Sequence, residues 1–205
     1  MFSPGEAPVV ANSKVQALIT RRGVDQRRVQ RAVRELLAAI GENPDRAGLK
    51  DTPARVARYW AEFIDYTPGK IATTFDEAAP ESPVIVSGMR VHSLCEHHLM
   101  PFWADVTVAY IPHGKVIGLS KLARIAHAHA HALQLQERLV LQIAETVSDV
   151  AGTRDVMVMA SGEHSCMIAR GIKTRGMMTS MQAMGAFLAD PMLRREVTDE
   201  HRKAR

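Results

Sequence analysis

Cys95-Glu96-His97-His98 sets a thiol and two imidazoles within four residues, and His164-Ser165-Cys166 adds another of each further along the chain. Thiolate sulfur and imidazole nitrogen are the donors zinc takes in tetrahedral sites. A cysteine and a histidine at i and i+3 close on one ion through a turn, and a ligand from a distant strand pins the fold around it. Taking Cys95, His98 and Cys166 as ligands leaves one position for water, the arrangement of a catalytic rather than a structural site. His97 and His164 then stand beside the metal as proton-transfer groups. One cysteine or histidine alone would read as core. Two clusters that hold both cysteines of the chain read as a metal site. The spacing is not that of a zinc finger.

A second group is Gly118-Leu119-Ser120-Lys121-Leu122-Ala123-Arg124, with Arg170 four residues after Cys166. A helix start offers free N–H groups and a positive dipole end, and Lys121 and Arg124 lie a turn apart there. The group is either a phosphate cradle near the metal or a set of solvated cations; Lys173 reads as the latter. A third group is Gln136-Glu137-Arg138. A carboxylate accepts two hydrogen bonds from a guanine-like amidine edge, but such a run is also an ordinary solvated helix face. His127, His129 and His131 alternate with alanine and read as a partly exposed helix face without a role.

Elements must position these groups. Val29, Val33, Leu36, Leu37 and Ile40 make one helical stripe from Asp25, ended by Gly41 and Pro44. Thr52 reads as an N-cap before Pro53, with Val56, Trp60, Phe63 and Ile64 on one face. A loop through Pro68, Pro80 and Pro83 follows. VIVSGMRVHS and DVTVAYIP read as strands. Ser120 reads as the cap of a helical region to Gly152, in one helix or two. DVMVMAS and HSCMIARGI return to strand character. The chain is thus read as α+β with mostly antiparallel pairing. The expected organisation is a flexible arm over 1–22, a helical hairpin and linker over 23–82, a catalytic domain over 83–190 and a basic tail over 191–205.

The 205 residues are 46% hydrophobic and 23% charged, which excludes disorder over most of the length. No apolar run reaches the roughly 20 residues of a membrane span, and the start lacks a signal-peptide pattern, so a cytoplasmic protein with no membrane partner is expected. A net charge of +4 suits an anionic small substrate or a nucleic acid; 5% aromatic content argues against a base-stacking platform.

IGENPDRAGLKDTPARVA (40–57), SLCEHHLMPF (93–102), VAYIPHGKVIGLSKLARI (108–125), LQLQERL (133–139) and EHSCMIARGIK (163–173), taken in this order, resemble GTP cyclohydrolase I. The resemblance implies a tunnelling fold: a four-stranded antiparallel sheet in ββααββ order, sheets joined between subunits into a barrel, commonly a decamer with active sites between subunits. By position, Cys95, His98 and Cys166 match the family's zinc ligands and His97 and His164 its catalytic histidines. Gln136 and Glu137 match guanine recognition. Ser120, Lys121, Arg124 and Arg170 match contacts to the substrate's ribose and triphosphate, with Ser120 assisting proton movement at the sugar and Leu119 a further substrate-binding position. The implied reaction converts GTP and water to 7,8-dihydroneopterin triphosphate and formate, in folate, pterin or deazapurine synthesis. Departures are Ala132 where the family often has Pro, and MMTSMQAMGAF, less rich in Thr than is usual. A paralogue with another end product and a basic zinc module for nucleic acid are the alternative readings.

Overall fold

The computed structural model describes residues 23–76 and 82–204; the arm expected over 1–22 lies outside them. The described chain is α+β and divides into two compact units.

The smaller unit, residues 23–67, holds α1 (Gln26–Ala39) and α2 (Thr52–Ile64). Asp25 caps α1, its carboxylate accepting from the Arg28 N–H at 2.9 Å. Gly41 follows the helix with φ 86°, a left-handed conformation that glycine adopts without penalty. The cap of α2 is Asp51, not Thr52 as expected; Thr52 and Pro53 are both inside the first turn, and Thr52 Oγ1 accepts from Arg55.

The larger unit starts at Pro68, so part of the expected linker belongs to it: Ile71 is core, and β1 (Thr74–Asp76) pairs with β4 (Lys115–Ile117). Its main sheet runs β5-β2-β3-β6-β7, from β2 (Val84–Cys95), β3 (Pro101–Tyr110), β5 (Leu133–Gln134), β6 (Val156–His164) and β7 (Met178–Ala183). The four longer strands are antiparallel neighbours; β5, only two residues long, adds a parallel pair at the end of β2. The helical region is two helices, α3 (Leu119–Ala130) and α4 (Gln136–Ala151), separated by β5. The cap of α3 is Gly118, and Ser120 lies inside the helix. Gly152, left-handed at φ 66°, closes α4 as expected.

Alternation on β6 explains why this strand is buried on both faces. Val156, Val158 and Ala160 join Val106, Leu122, Ile125, Leu139 and Ile143 beneath α3 and α4. Met157 and Met159 point the other way, against Phe187 and Val197. These last two come from α6 (Ala186–Ala189) and α7 (Pro191–Lys203). The expected basic tail is therefore largely a helix with a buried edge. His201 on α7 is 3% exposed, with its two ring nitrogens 2.8 Å from Thr107 Oγ1 and Ser161 Oγ. His129, read as part of an exposed face, is also buried and bonds Thr146 across α3 and α4 at 2.8 Å.

The second expected strand after α4 is misplaced in the sequence reading. Residues 165–168 form a single helical turn, α5 (Ser165–Ile168), and the strand comes later as β7. Gly171 and Lys173, both at positive φ, keep the intervening segment from extending.

Candidate metal and catalytic centre

The cluster forms where β2, α5 and the start of α4 converge. At the end of β2 the chain turns sharply. The N–H groups of His98 and Leu99 both donate to the Cys95 carbonyl, at 3.3 and 2.9 Å, and the Cys95 N–H donates to Met100 O at 2.8 Å. Leu99 takes φ 56° to close this turn, a conformation unfavourable for a residue with a Cβ. The turn brings His98 Nδ1 to 3.8 Å from Cys95 Sγ. Cys166, on α5, places its Sγ 4.0 Å from the same sulfur. One ligand atom from each of Cys95, His98 and Cys166 lies within 4.8 Å of the others. Two thiols and an imidazole at this separation fit a borderline-soft divalent ion.

Burial, reinforced by the neighbouring Cys95, pushes the Cys166 thiol up, with Arg170 pulling weakly the other way. An ion bound there must displace that proton. Arg170, expected near a phosphate, reaches the cluster itself: its guanidinium donates to His98 Nε2 at 2.6 Å.

His164 ends β6, two residues before Cys166. Its ring stacks on Phe102, with centroids 4.4 Å apart and planes 10° from parallel. Burial holds this imidazole below its ordinary value, opposed by the Glu137 carboxylate. Nε2 lies 3.1 Å from Gln136 Oε1. His97 is exposed on the same turn as His98, its ring edge-on to that of His98 at 6.2 Å.

Gln136 and Glu137 open α4 and differ sharply. Glu137 is exposed. Gln136 is 1% exposed, and its amide nitrogen lies 3.0 Å from Ala160 O and Met178 O and 3.2 Å from Ser180 Oγ. With its oxygen on His164, the whole Gln136 amide is engaged inside the protein. Its side chain, expected to read guanine alongside Glu137, thus has internal partners at both amide atoms.

The group on α3 is not drawn into the cluster. Leu119 is 66% exposed, Ser120 is exposed and Lys121 is half-buried. Among the described residues, no hydrogen bond joins these three to the cysteines or to His98. Arg124 donates to Pro68 O at 3.3 Å.

Three further side chains shape the centre without a signal of that role in the sequence. Phe102 gave no signal beyond strand alternation. Glu96 and Arg138 form an ion pair that ties the ligand turn to α4, while Arg138 Nε donates to Gln134 Oε1 at 2.7 Å. Both residues lie within the two motifs in sequence, but nothing in the spacing pairs them.

Residues 29–202 match the family model described as GTP cyclohydrolase I. Proteins named GTP cyclohydrolase 1 from Hyperthermus butylicus, Thermobifida fusca and Rhodopirellula baltica are 43%, 44% and 46% identical to it. The alignments cover 89%, 86% and 85% of this chain and 95%, 88% and 78% of those proteins.

Proposed function

The chain belongs to the GTP cyclohydrolase I family, and we propose that it opens the purine ring of GTP by hydrolysis at C8, releases formate and yields 7,8-dihydroneopterin triphosphate. The observation that carries this reading is the convergence of Cys95, His98 and Cys166 within 4.8 Å, close in sequence and space to His164.

Cys95, His98 and Cys166 would hold a zinc ion. When bound, the ion supplies Lewis-acid activation for hydrolysis. The remaining work falls to the chain's own side chains. Glu137 accepts from guanine N1–H and the exocyclic amine, a donor pair that adenine lacks. His97 and His164 take up and return protons as water adds at C8 and the ring C–N bond breaks. A second hydrolysis releases formate; the opened sugar then rearranges and closes onto the pyrimidine amine, with Ser120 moving a proton at the sugar. Lys121, Arg124 and Arg170 contact the ribose and triphosphate, and Leu119 is a further substrate contact. The larger unit is read as a tunnelling fold whose sheet continues into those of other subunits, so the α3 residues complete a site in the assembly rather than in one chain. A cytoplasmic decamer is the expected form, and among the described residues no helix is long and apolar enough to cross a membrane.

Incubation with GTP, with formate and the fluorescent oxidised pterin both measured, tests the reading. Equimolar formate and pterin support it. Formate without pterin points to a paralogue with another end product, and neither product overturns it.

A further inference from the structure

We infer that Gln136 is a positioning residue that holds His164 with a proton fixed on Nε2, leaving Nδ1 as the one ring atom able to exchange a proton with a reactant. The placement of the proton follows from hydrogen-bond accounting alone; its catalytic consequence rests on the cyclohydrolase reading.

The amide of Gln136 has one possible orientation. Its nitrogen sits 3.0 Å from two backbone carbonyls, Ala160 O on β6 and Met178 O on β7. A carbonyl only accepts, and the amide nitrogen brings two hydrogens, so the two carbonyls account for both. Ser180 Oγ shares the same nitrogen at 3.2 Å and itself donates to Gln136 O at 3.3 Å. Turning the amide over would set its oxygen against two carbonyl oxygens in a site that is 1% exposed, where no water could relieve them.

With the nitrogen so placed, Oε1 faces His164 Nε2 at 3.1 Å. Oε1 has lone pairs and nothing to donate. A bare Nε2 would bring two acceptors together, so Nε2 carries hydrogen. This holds whether or not Nδ1 is also protonated. Phe102 fixes the ring plane by stacking at 4.4 Å. The ring is therefore held by one bond and one face, and its exchangeable position is Nδ1. In the proposed reaction, the Nδ1 lone pair takes a proton from the adding water and later returns it to a ring nitrogen, so the side chain ends as it began. The same first turn of α4 then does two jobs. Gln136 sets the proton-transfer group, and Glu137 beside it presents the carboxylate for the base.

Two measurements test this. Neutron diffraction from crystals of the full-length protein should show hydrogen on His164 Nε2, directed at Gln136 Oε1. Hydrogen on Nδ1 with bare Nε2 would overturn the inference. Independently, Gln136→Met keeps the length and apolar bulk but removes the bond to His164 together with those of the amide nitrogen. We expect kcat for GTP to fall about 10- to 100-fold, the cost typical of losing a partner that orients a reacting side chain, with KM within about threefold. A raised KM with kcat preserved would instead make Gln136 a guanine-binding residue, and unchanged kinetics would make the bond inconsequential; either overturns the positioning role. Should Gln136→Met fail to fold, the neutron result on the unmodified chain still decides. Should the unmodified chain release no formate from GTP, the cyclohydrolase reading fails while the proton's position remains decided.

Discussion

At the scale of single residues, the centre separates into side chains that would hold an ion and side chains that would move protons. Cys166 belongs to the first set. Its Sγ lies 4.0 Å from Cys95 Sγ, and Cys166→Ala leaves only Cys95 and His98 to bind. Metal affinity should fall by more than about a hundredfold, beyond the 10- to 100-fold typical of losing a mere supporting contact; elemental analysis after dialysis reads this, and full metal content would remove Cys166 from the site. His164 belongs to the second set. His164→Ala should keep its metal and lose about 10²–10⁴-fold in turnover, so metal content and formate release measured on one preparation distinguish the two sets. Glu137 tests specificity. Glu137→Gln replaces one acceptor oxygen with a donor and removes the charge, on an exposed helical position that tolerates glutamine. A charge-assisted hydrogen bond contributes roughly 1.5–3 kcal/mol, so kcat/KM for GTP should drop at least about tenfold with metal content unchanged. The cysteine–histidine cluster was legible in the sequence because a turn of four residues forces Cys95 and His98 together whatever the surrounding fold does. The task of Gln136 was not legible. Whether a glutamine at a helix start faces solvent or a sheet depends on strands that come more than twenty residues later in sequence, with Ala160, Met178 and Ser180 as its partners.

At the scale of elements, the strands that reach the site were read correctly where valine is dense, as in DVTVAY of β3 and VMVM at the start of β6, and incorrectly where a strand exists only because a neighbour templates it. HSCMIARGI has the apolar content of a strand, but Gly171 at φ 61° and Lys173 at φ 51° break the extension. MTSMQA offers little β-branched character and becomes β7 because β6 pairs with it from Gly162↔Met178 to Met157↔Ala183. The far end of that pair is closed by Asp155. One carboxylate oxygen accepts from His113 Nε2 at 2.8 Å, on the β3–β4 turn, and the other from the Ala186 N–H at 2.7 Å, at the start of α6. Gly185, just before α6, stands at φ 55°, and a Cβ there would meet Asp155 Oδ1 at 2.2 Å. The His113 bond first, then the Ala186 N–H, holds the Asp155 carboxyl below its ordinary value. A carboxyl depressed in the fold stabilises it at pH values above the ordinary carboxylate range. That contribution is lost as pH falls through this range toward the folded-state value. Asp155→Asn should therefore lower Tm at pH 7 by about 3–6 °C, and the gap from the parent should begin to narrow as pH falls below about 4. A gap that persists unchanged to pH 3 would show that the bonds, not the charge, carry the effect.

At the scale of the whole molecule, the described chain leaves surface that a monomer has little reason to expose. β7 is paired only with β6, and β5 covers two residues of the outer edge of β2, so the main sheet has an open side at each end. Open edges present unpaired N–H and C=O groups and invite a further strand. Met181, on β7, is 53% exposed. In the smaller unit, α1 has an apolar stripe with no buried residue: Leu36 on it and Ile40 just after it are 58% and 65% exposed. Both features have the same remedy, a second copy of the chain, and closed symmetric assembly is the usual way to remove such edges. It would also give Leu119, Ser120 and Lys121 a cluster to face, since none is hydrogen-bonded to the cluster of its own chain. The prediction is an oligomer at micromolar concentration by light scattering, with formate release that falls as dilution dissociates it. Met181→Lys puts a charge on the open edge without touching a residue of the centre. It should raise the concentration at which the assembly dissociates by at least about tenfold, equivalent to about 1.4 kcal/mol of lost association free energy. Activity per chain should follow the assembled fraction rather than total protein. A monomer at micromolar concentration that releases formate at the same rate per chain at every dilution would show that one chain holds the whole site, and that Lys121 and its neighbours on α3 reach the cluster by moving within it.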